Sequence, residues 1–536
     1  VFVLYPIANI VVASFLGEEQ SGWARMLATP KHIQAIKNTL ILASVVTVIA
    51  TCLGVPLAYV TARYSFPGKT VIALLPLVTL VIPEVIAAQT WLMMLGNNGL
   101  ITRALRDIGI RLPSFYGWFG LITSMSFIYY TYVYVGVVAA IGRFDSQLEE
   151  AAQSLGTPPA LSRLKVMAPV ILPAILASAL LVFTMTVGNF AISMILSHRL
   201  PLLSVVTYQA AVAEGASDIT MQSTLASTTV LIVMLVLFVN RWIVSRGQYE
   251  VVQGRGAAPT PLRGLRGLGV ALPAGLVVLI SLLPLITIVI GAFTGSRGPV
   301  MHWGTWTLDN ITRVFVTAPQ PLINSLIYAS IATLISIVFS AVVSYLIIKK
   351  PNILTPWVDY ISTVPLALSG TVLGVGLLAT FHGGWLPLSG TASIIVLAYV
   401  VRRMPFGMRN SQSTLHNIPD SIEEASISLG VPPVATFFRV VLPVMLPAVA
   451  SAAIITWTTT VAELSASILV YSGGRETLPI QVFRLIDSGL MAYASAYGLV
   501  LVTVILAPII IATRASLKAV PQSIRDAALG VGASRM

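Results

Sequence analysis

Charge is scarce in this chain. Only 9% of its 536 residues are Asp, Glu, Lys or Arg, while 56% are hydrophobic. A soluble domain carries roughly 25% charged residues, so a globular surface could not be kept wet. Disorder and a coiled coil, which both need charge, are excluded on the same ground. Cysteine is nearly absent: Cys52 stands alone inside an apolar run, which rules out an internal disulfide and a thiolate metal site. The five histidines are scattered, with no HExxH or paired spacing, and no Ser/His/Asp constellation stands out. Gly68-Lys69-Thr70 resembles the end of a phosphate-binding loop, but the glycine required five positions earlier is Arg63. These absences point away from an enzyme: there is no catalytic residue set, no metal site and no cofactor to expect in this chain. The net charge of +12 does not imply nucleic acid, because no basic run is interleaved with aromatics. It is better read as basic loops held on the cytoplasmic side of a bilayer.

What the chain has is apolar runs, at about 1–15, 38–61, 71–95, 115–141, 170–196 and 224–240, then 271–292, 324–348, 356–380, 391–401, 443–470 and 493–513. Each is long enough, or nearly so, to cross about 30 Å of hydrocarbon as a helix, and lipid forces the backbone to satisfy itself internally. The expectation is an all-α membrane protein of about twelve transmembrane helices, with the 391–401 core extended through its flanks. With the start of the first run inside, loops on the cytoplasmic side hold 20 of the 31 Lys+Arg and external loops 11. That bias sets the orientation. The chain opens at Val1 within an apolar segment, so the start is expected to be trimmed, and no cleavable signal peptide can be read from it.

The two halves repeat. Pro6 matches Pro284, Asn38-Thr39 matches Asn324-Ser325, Tyr59 matches Tyr345 and Pro83 matches Pro365, at offsets between 274 and 286. The expected layout is a first six-helix module over 1–244, a Gly/Arg/Pro-rich cytoplasmic linker over 245–269, a second module over 270–513 and a cytoplasmic tail over 514–536. Parallel repeats of this kind suggest one pathway at a pseudo-two-fold axis.

The strongest repeat is in two cytoplasmic loops, about 143–168 and 417–442. Glu149-Glu150-Ala151-Ala152-Gln153-Ser154-Leu155-Gly156 is followed by Pro158-Pro159 and Pro169. Glu423-Glu424-Ala425-Ser426-Ile427-Ser428-Leu429-Gly430 is followed by Pro432-Pro433 and Pro443, at a constant offset of 274. Asp145-Ser146 and Asp420-Ser421 are candidate N-caps, the Glu pairs favour the positive end of a helix, and Gly156 and Gly430 suit a helix stop. The prolines then forbid continuation but can open a new helix. A short helix with a small alanine face and a pair of carboxylates suits docking into another protein's groove, against an Arg or Lys. The alternative is a surface helix with ordinary charges.

These segments resemble the EAA loop of ABC importer permeases, whose pattern is E-A-A, three residues, G, nine residues, I-x-L-P. Glu150-Ala151-Ala152, Gly156 and Val166-x-Ala168-Pro169 match it, as do Glu424-Ala425-Ser426, Gly430 and Val440-x-Leu442-Pro443, with Val for Ile twice, Ala168 for Leu and Ser426 for Ala. The resemblance covers nearly the whole chain as two fused modules of the type I importer fold. It implies a multi-pass permease subunit of the bacterial cytoplasmic membrane, working by alternating access. Its partners would be two ATP-binding cassette subunits, which bind ATP and Mg, and an extracytoplasmic solute-binding protein. Glu149, Glu150, Ala151, Ala152, Gly156, Glu423, Glu424, Ala425 and Gly430 would then form the ATPase-coupling loops.

Glu84, Asn189 and Glu463 lie inside apolar runs, where charge is costly and demands a partner or a cavity. Asn189 and Glu463 are 274 apart and thus pseudo-symmetric mates, expected near the middle of the fifth span of each module and lining a central pathway. A helix–helix hydrogen bond is the alternative for each. The stretch Glu463 to Arg484 looks like the second half of fused ferric-iron-type permeases, with thiamine, polyamine and 2-aminoethylphosphonate permeases similar there. Ferric iron is the favoured solute, and an ion-gradient-driven secondary transporter is the rival class. After the last run, Val520 to Gly532 resembles Ile418 onward at an offset of 102, a third partial copy of the loop pattern, read as non-functional.

Overall fold

The computed structural model describes residues 2–16, 21–212, 218–246, 259–298, 300–383 and 386–519. The third loop pattern over 520–532 and residues 247–258 of the linker fall outside these residues. Every one of the twelve apolar runs is helical. Among the described residues, eight helices are long and apolar enough to cross a bilayer, including Pro30–Arg63, Trp118–Arg143, Gly264–Ala292 and Gln320–Lys349. The pair Lys69–Thr79 and Glu84–Asp107 is together long and apolar enough as well, and is bent by 109°. The remaining runs form the short Leu4–Phe15, the interrupted pair Thr355–Thr363 and Gly370–Phe381, and Ala392–His416. Arg402, Arg403 and Arg409 belong to that last helix and not to the cytoplasmic loop where the run boundary at 401 leaves them.

The repeat is preserved in the packing. Leu4–Phe15 packs on Ile219–Arg246, the last helix of its own module, and reaches across to Gly370–Phe381 of the other. Gly264–Ala292 packs on Met491–Ala519 and reaches across to Lys69–Thr79 and Glu84–Leu95. Glycine makes both crossings possible. A Cβ at Gly376 would stand 2.8 Å from Ile10, and one at Gly291 would stand 2.5 Å from Met93. Outside the spans, the hairpin Thr294–Arg297 with Val300–Trp306 follows the first helix of the second module. Thr260–Pro261 pairs with Tyr64–Ser65, so the linker's end is strapped to the first module's turn.

Four of the crossings are interrupted, and these breaks decide where function can reside. The third run of each module breaks at Leu80–Pro83 and at 364–369. The fifth breaks at Asn189-Phe190 and across 462–466. Pro83 and Pro365 account for the first pair, since neither can donate a backbone hydrogen bond. The second pair breaks at the polar residues Asn189 and Glu463.

Pro30–Arg63 meets Trp118–Arg143 along a seam where Gly54 has no room for a side chain, because a Cβ there would lie 2.7 Å from the Tyr130 carbonyl oxygen. Gly54→Val should force these helices apart and cost about 1–3 kcal/mol. The expected result is a clear drop in the thermal midpoint in detergent, whereas Val48→Leu on the lipid-exposed face of the same helix should leave it unchanged.

Candidate coupling loops and central charge cluster

Ser146–Ser154 is the short helix of the first loop, and Asp145 caps it by accepting from the Gln147 amide at 3.0 Å. Its end is a Schellman turn. The Gly156 amide donates to the Gln153 carbonyl at 2.9 Å and the Thr157 amide to Ala152 at 3.0 Å, with Gly156 at φ 89°. The second loop repeats this: Gly430 donates to Ile427 at 2.9 Å, Val431 donates to Ser426 at 3.2 Å, and Gly430 has φ 85°. Pro159 and Pro433 open the next helices, and each then passes through one π-type turn, Arg163–Met167 and Phe437–Val441, before entering the membrane.

The N-terminal ends differ. Asp420 does not cap its helix, which begins at Asp420 itself after Pro419. Its carboxylate accepts instead from Lys349 Nζ at 2.5 Å, and that ammonium also donates to the Ile418 carbonyl. This hydrogen bond from Lys349 holds the Asp420 carboxyl below its ordinary pKa.

Each pair of glutamates is divided by the helix. Glu149 and Glu423 turn inward and are buried, while Glu150 and Glu424 are exposed. Glu149 forms an ion pair with Arg63, with Arg163 at 3.7 Å. Glu423 accepts instead from the Tyr345 hydroxyl at 3.0 Å. The inner glutamates therefore fasten the loop to the membrane helices and are not available to an outside partner. On the outer side, Ala151 and Ala425 are exposed, and Ala152 is half-buried. Beside them stand leucines that sequence reasoning passed over: Leu155 is 88% exposed and Leu429 85%. Leu164 and Phe438, also exposed, are another pair 274 apart. The legible signal was an apolar residue recurring beside a helix-stop glycine, where solvent rather than packing is expected.

At the centre, the three polar residues from the apolar runs come together. Asn189 and Glu463 do not lie mid-span, as their position in the runs suggests. They stand where the fifth helices end, at Gly188 and Val461, and their side chains replace the amide partners lost at the break. Asn189 Oδ1 accepts from the Ile192 and Ser193 amides at 3.0 and 3.2 Å, and Glu463 Oε1 accepts from the Ala466 amide at 3.2 Å. Ile192 and Ala466 are themselves 274 apart, so the two caps are the same device in both modules. Asn189 Nδ2 donates to Tyr129 Oη at 2.8 Å, and that hydroxyl donates to Glu84 Oε1 at 2.6 Å. Glu463 Oε2 lies 2.8 Å from Arg402 Nε and 2.6 Å from Arg403 Nη2. Glu84, Glu463 and both arginines line one cavity of about 250 Å³ between the modules, together with Tyr132.

Arg402 and Arg403 are thus part of this cluster, and reasoning from the runs missed them. Two arginines midway along a helix, 61 and 60 residues before a glutamate in another apolar run, were the available sign. Among the described residues no group of three or more His, Cys, Asp or Glu could hold a metal ion.

The fastening of the first loop is expected to be the stiffer. Arg63→Ala would leave buried Glu149 with only the more distant Arg163, at 3.7 Å, as counter-ion, at a cost of up to about 3 kcal/mol. Hydrogen exchange over 146–154 should accelerate accordingly. At the second loop the Lys349–Asp420 contribution is present above the ordinary carboxylate pKa and fades as pH falls through the depressed value. Acidification should therefore raise exchange over 420–428 in the wild type and not in Asp420→Asn.

The chain was compared with known proteins. Residues 287–526 match the family described as binding-protein-dependent transport system inner membrane component. The ferric transport system permease protein of Actinobacillus pleuropneumoniae is 25% identical over 95% of this chain and 75% of its own length. A probable ABC transporter permease of Sinorhizobium fredii is 28% identical over 93% of this chain and 90% of its own. A solved bacterial ABC transporter involved in alginate import aligns with 46% of this chain and 91% of its own at 17% identity and a TM-score of 0.41. Residues 287–526 thus carry that family's domain, the same helices recur in the first half, and fused permeases match nearly the whole chain, so the chain is similar throughout to two-module ABC importer permeases, transport subunits of the bacterial inner membrane.

Proposed function

We propose that the permease carries ferric iron inward, by alternating access, on the power of two separate ATPase subunits that grip the loops 143–168 and 417–442. The solute follows from the relatives, several of which are named as ferric permeases and match 88% or more of this chain. The observation that carries the coupling reading is the pair of loop helices with identical Schellman ends. Each presents an exposed carboxylate, Glu150 or Glu424, beside an exposed leucine, Leu155 or Leu429. An apolar knob flanked by one charge fits a groove lined by aliphatic groups and an Arg or Lys. Gly156 and Gly430 shape the turns, and the inner Glu149 and Glu423 transmit force to the membrane helices. An extracytoplasmic binding protein delivers the solute on the opposite side. Glu84, Asn189 and Glu463 line the path between the modules, where carboxylate oxygens suit a hard cation.

The tagged chain, purified in mild detergent with its partners, should bring down an ATPase at two copies per chain. That partner should be lost from the double variant Glu150→Lys, Glu424→Lys. In vesicles reconstituted with the partners, Glu463→Ala should lower iron uptake at least about tenfold. If the chain comes down alone, and uptake survives ATP depletion on an ion gradient, the importer reading falls. If the co-purified binding protein holds no iron, the choice of solute falls.

A further inference from the structure

The central cluster is unbalanced between the modules. The second module brings Arg402, Arg403 and Glu463 to the cavity, and the first brings Glu84. Glu463 is doubly paired, with both guanidinium groups against Oε2 and the Ala466 amide on Oε1. The arginines are anchored from behind as well: Arg402 donates to the Leu368 carbonyl at 3.3 Å and Arg403 to the Thr459 carbonyl at 2.9 Å. Glu84 is only half engaged. Its Oε1 accepts from Tyr129, which is itself held by Asn189, and among the described residues none makes an ion pair with it. One guanidinium would neutralise Glu463. Two leave a surplus positive charge on the same cavity as Glu84, a carboxylate with no ion-pair partner of its own among the described residues. Charge between membrane helices is retained only at a cost, so a surplus arginine needs a reason.

We propose that Arg402 and Arg403 are resident counter-cations, standing on Glu463 where a cationic cargo is to bind, so that cargo received on Glu84 displaces them and is in turn displaced by them. This rests on the cation reading of the cargo given above. Two carboxylates facing each other in a cavity of low dielectric would hold a multivalent cation too firmly to let it go. A passage works only where binding is favourable enough to admit an ion and weak enough to release it. Resident guanidinium groups turn binding into an exchange of one cation for another. Arginine suits the task because it stays protonated in such a site, and its backbone anchors keep it close when it swings aside.

Terbium(III), a hard trivalent cation, tests this without partners or transport. The purified chain in detergent is dialysed against Tb³⁺, and bound metal is measured directly and by luminescence sensitised through Tyr129 and Tyr132. The wild type should bind weakly. Arg402→Gln with Arg403→Gln should bind at least about tenfold more tightly, and adding Glu463→Gln should abolish that gain. Arg402→Lys with Arg403→Lys, which keeps both charges, should behave as the wild type. If the double Gln variant does not elute as a single species, the single variants take its place, each with a smaller gain. A folded Arg→Gln variant that binds no more Tb³⁺ than the wild type overturns the proposal, and so does a gain that survives Glu463→Gln. A binding protein without iron would defeat the choice of solute, but the Tb³⁺ result would still decide the role of the arginines.

Discussion

A helix that breaks inside a bilayer frees backbone amides that lipid cannot satisfy, and the rest of this structure follows from how those amides are satisfied. Breaks are tolerated only where they are buried in protein or line a cavity. Here all four interrupted crossings come in matching pairs, one in each module. At the fifth crossings the replacement partners are side chains: Asn189 accepts from Ile192 and Ser193, and Glu463 accepts from Ala466. The same residues that repair the backbone are thereby fixed at the centre of the molecule. Their remaining polar atoms recruit the others, Tyr129 and Glu84 through Asn189, and Arg402 and Arg403 through Glu463.

The pseudo-symmetry is strict in the backbone and relaxed in the charges. Both caps bond to equivalent positions, yet one is an amide and the other a carboxylate that needs counter-ions. Both coupling helices end in the same turn, yet the first is fastened by the Arg63–Glu149 ion pair and the second by the Tyr345 hydroxyl on Glu423. The position matching Arg163 in the second module is Phe437, and Lys349, which matches Arg63, serves Asp420 instead. Backbone geometry repeats because the same turn requires the same glycine and the same prolines. Charge need not repeat, because the turn geometry does not depend on it.

The cross-module packing joins these two regions. Each module's first helix leans on the third crossing of the other, with Gly376 close to Ile10 and Gly291 close to Met93. The half-helices Glu84–Leu95 and Gly370–Phe381, which begin at the central breaks, are therefore held from the opposite side of the pseudo-axis. The helix after each loop runs to Asn189 or Glu463, and Glu463 borders a cavity walled by both modules. The fold so places the two repeated loops and the charged centre at opposite ends of the same two helices.

The sequence by itself determined the helices, the repeat and the coupling turns. Each of these is a local property: apolar runs set by the thickness of hydrocarbon, glycine at positive φ, proline without an amide hydrogen. It also picked out Glu84, Asn189 and Glu463, because a polar group in an apolar run is costly wherever it lies. What only the tertiary structure decided is which way each polar group turns and what it meets. Glu149 and Glu150 are adjacent in the chain, yet one is buried and the other exposed, since a helix rotates successive residues by about 100°. Arg402 and Arg403 read as loop charges at the edge of a short run. Only the approach of the helix ending at Val461 gives them a carboxylate and keeps them within the membrane helix Ala392–His416. Partnership between residues 60 positions apart is a matter of helix packing, which no local pattern encodes.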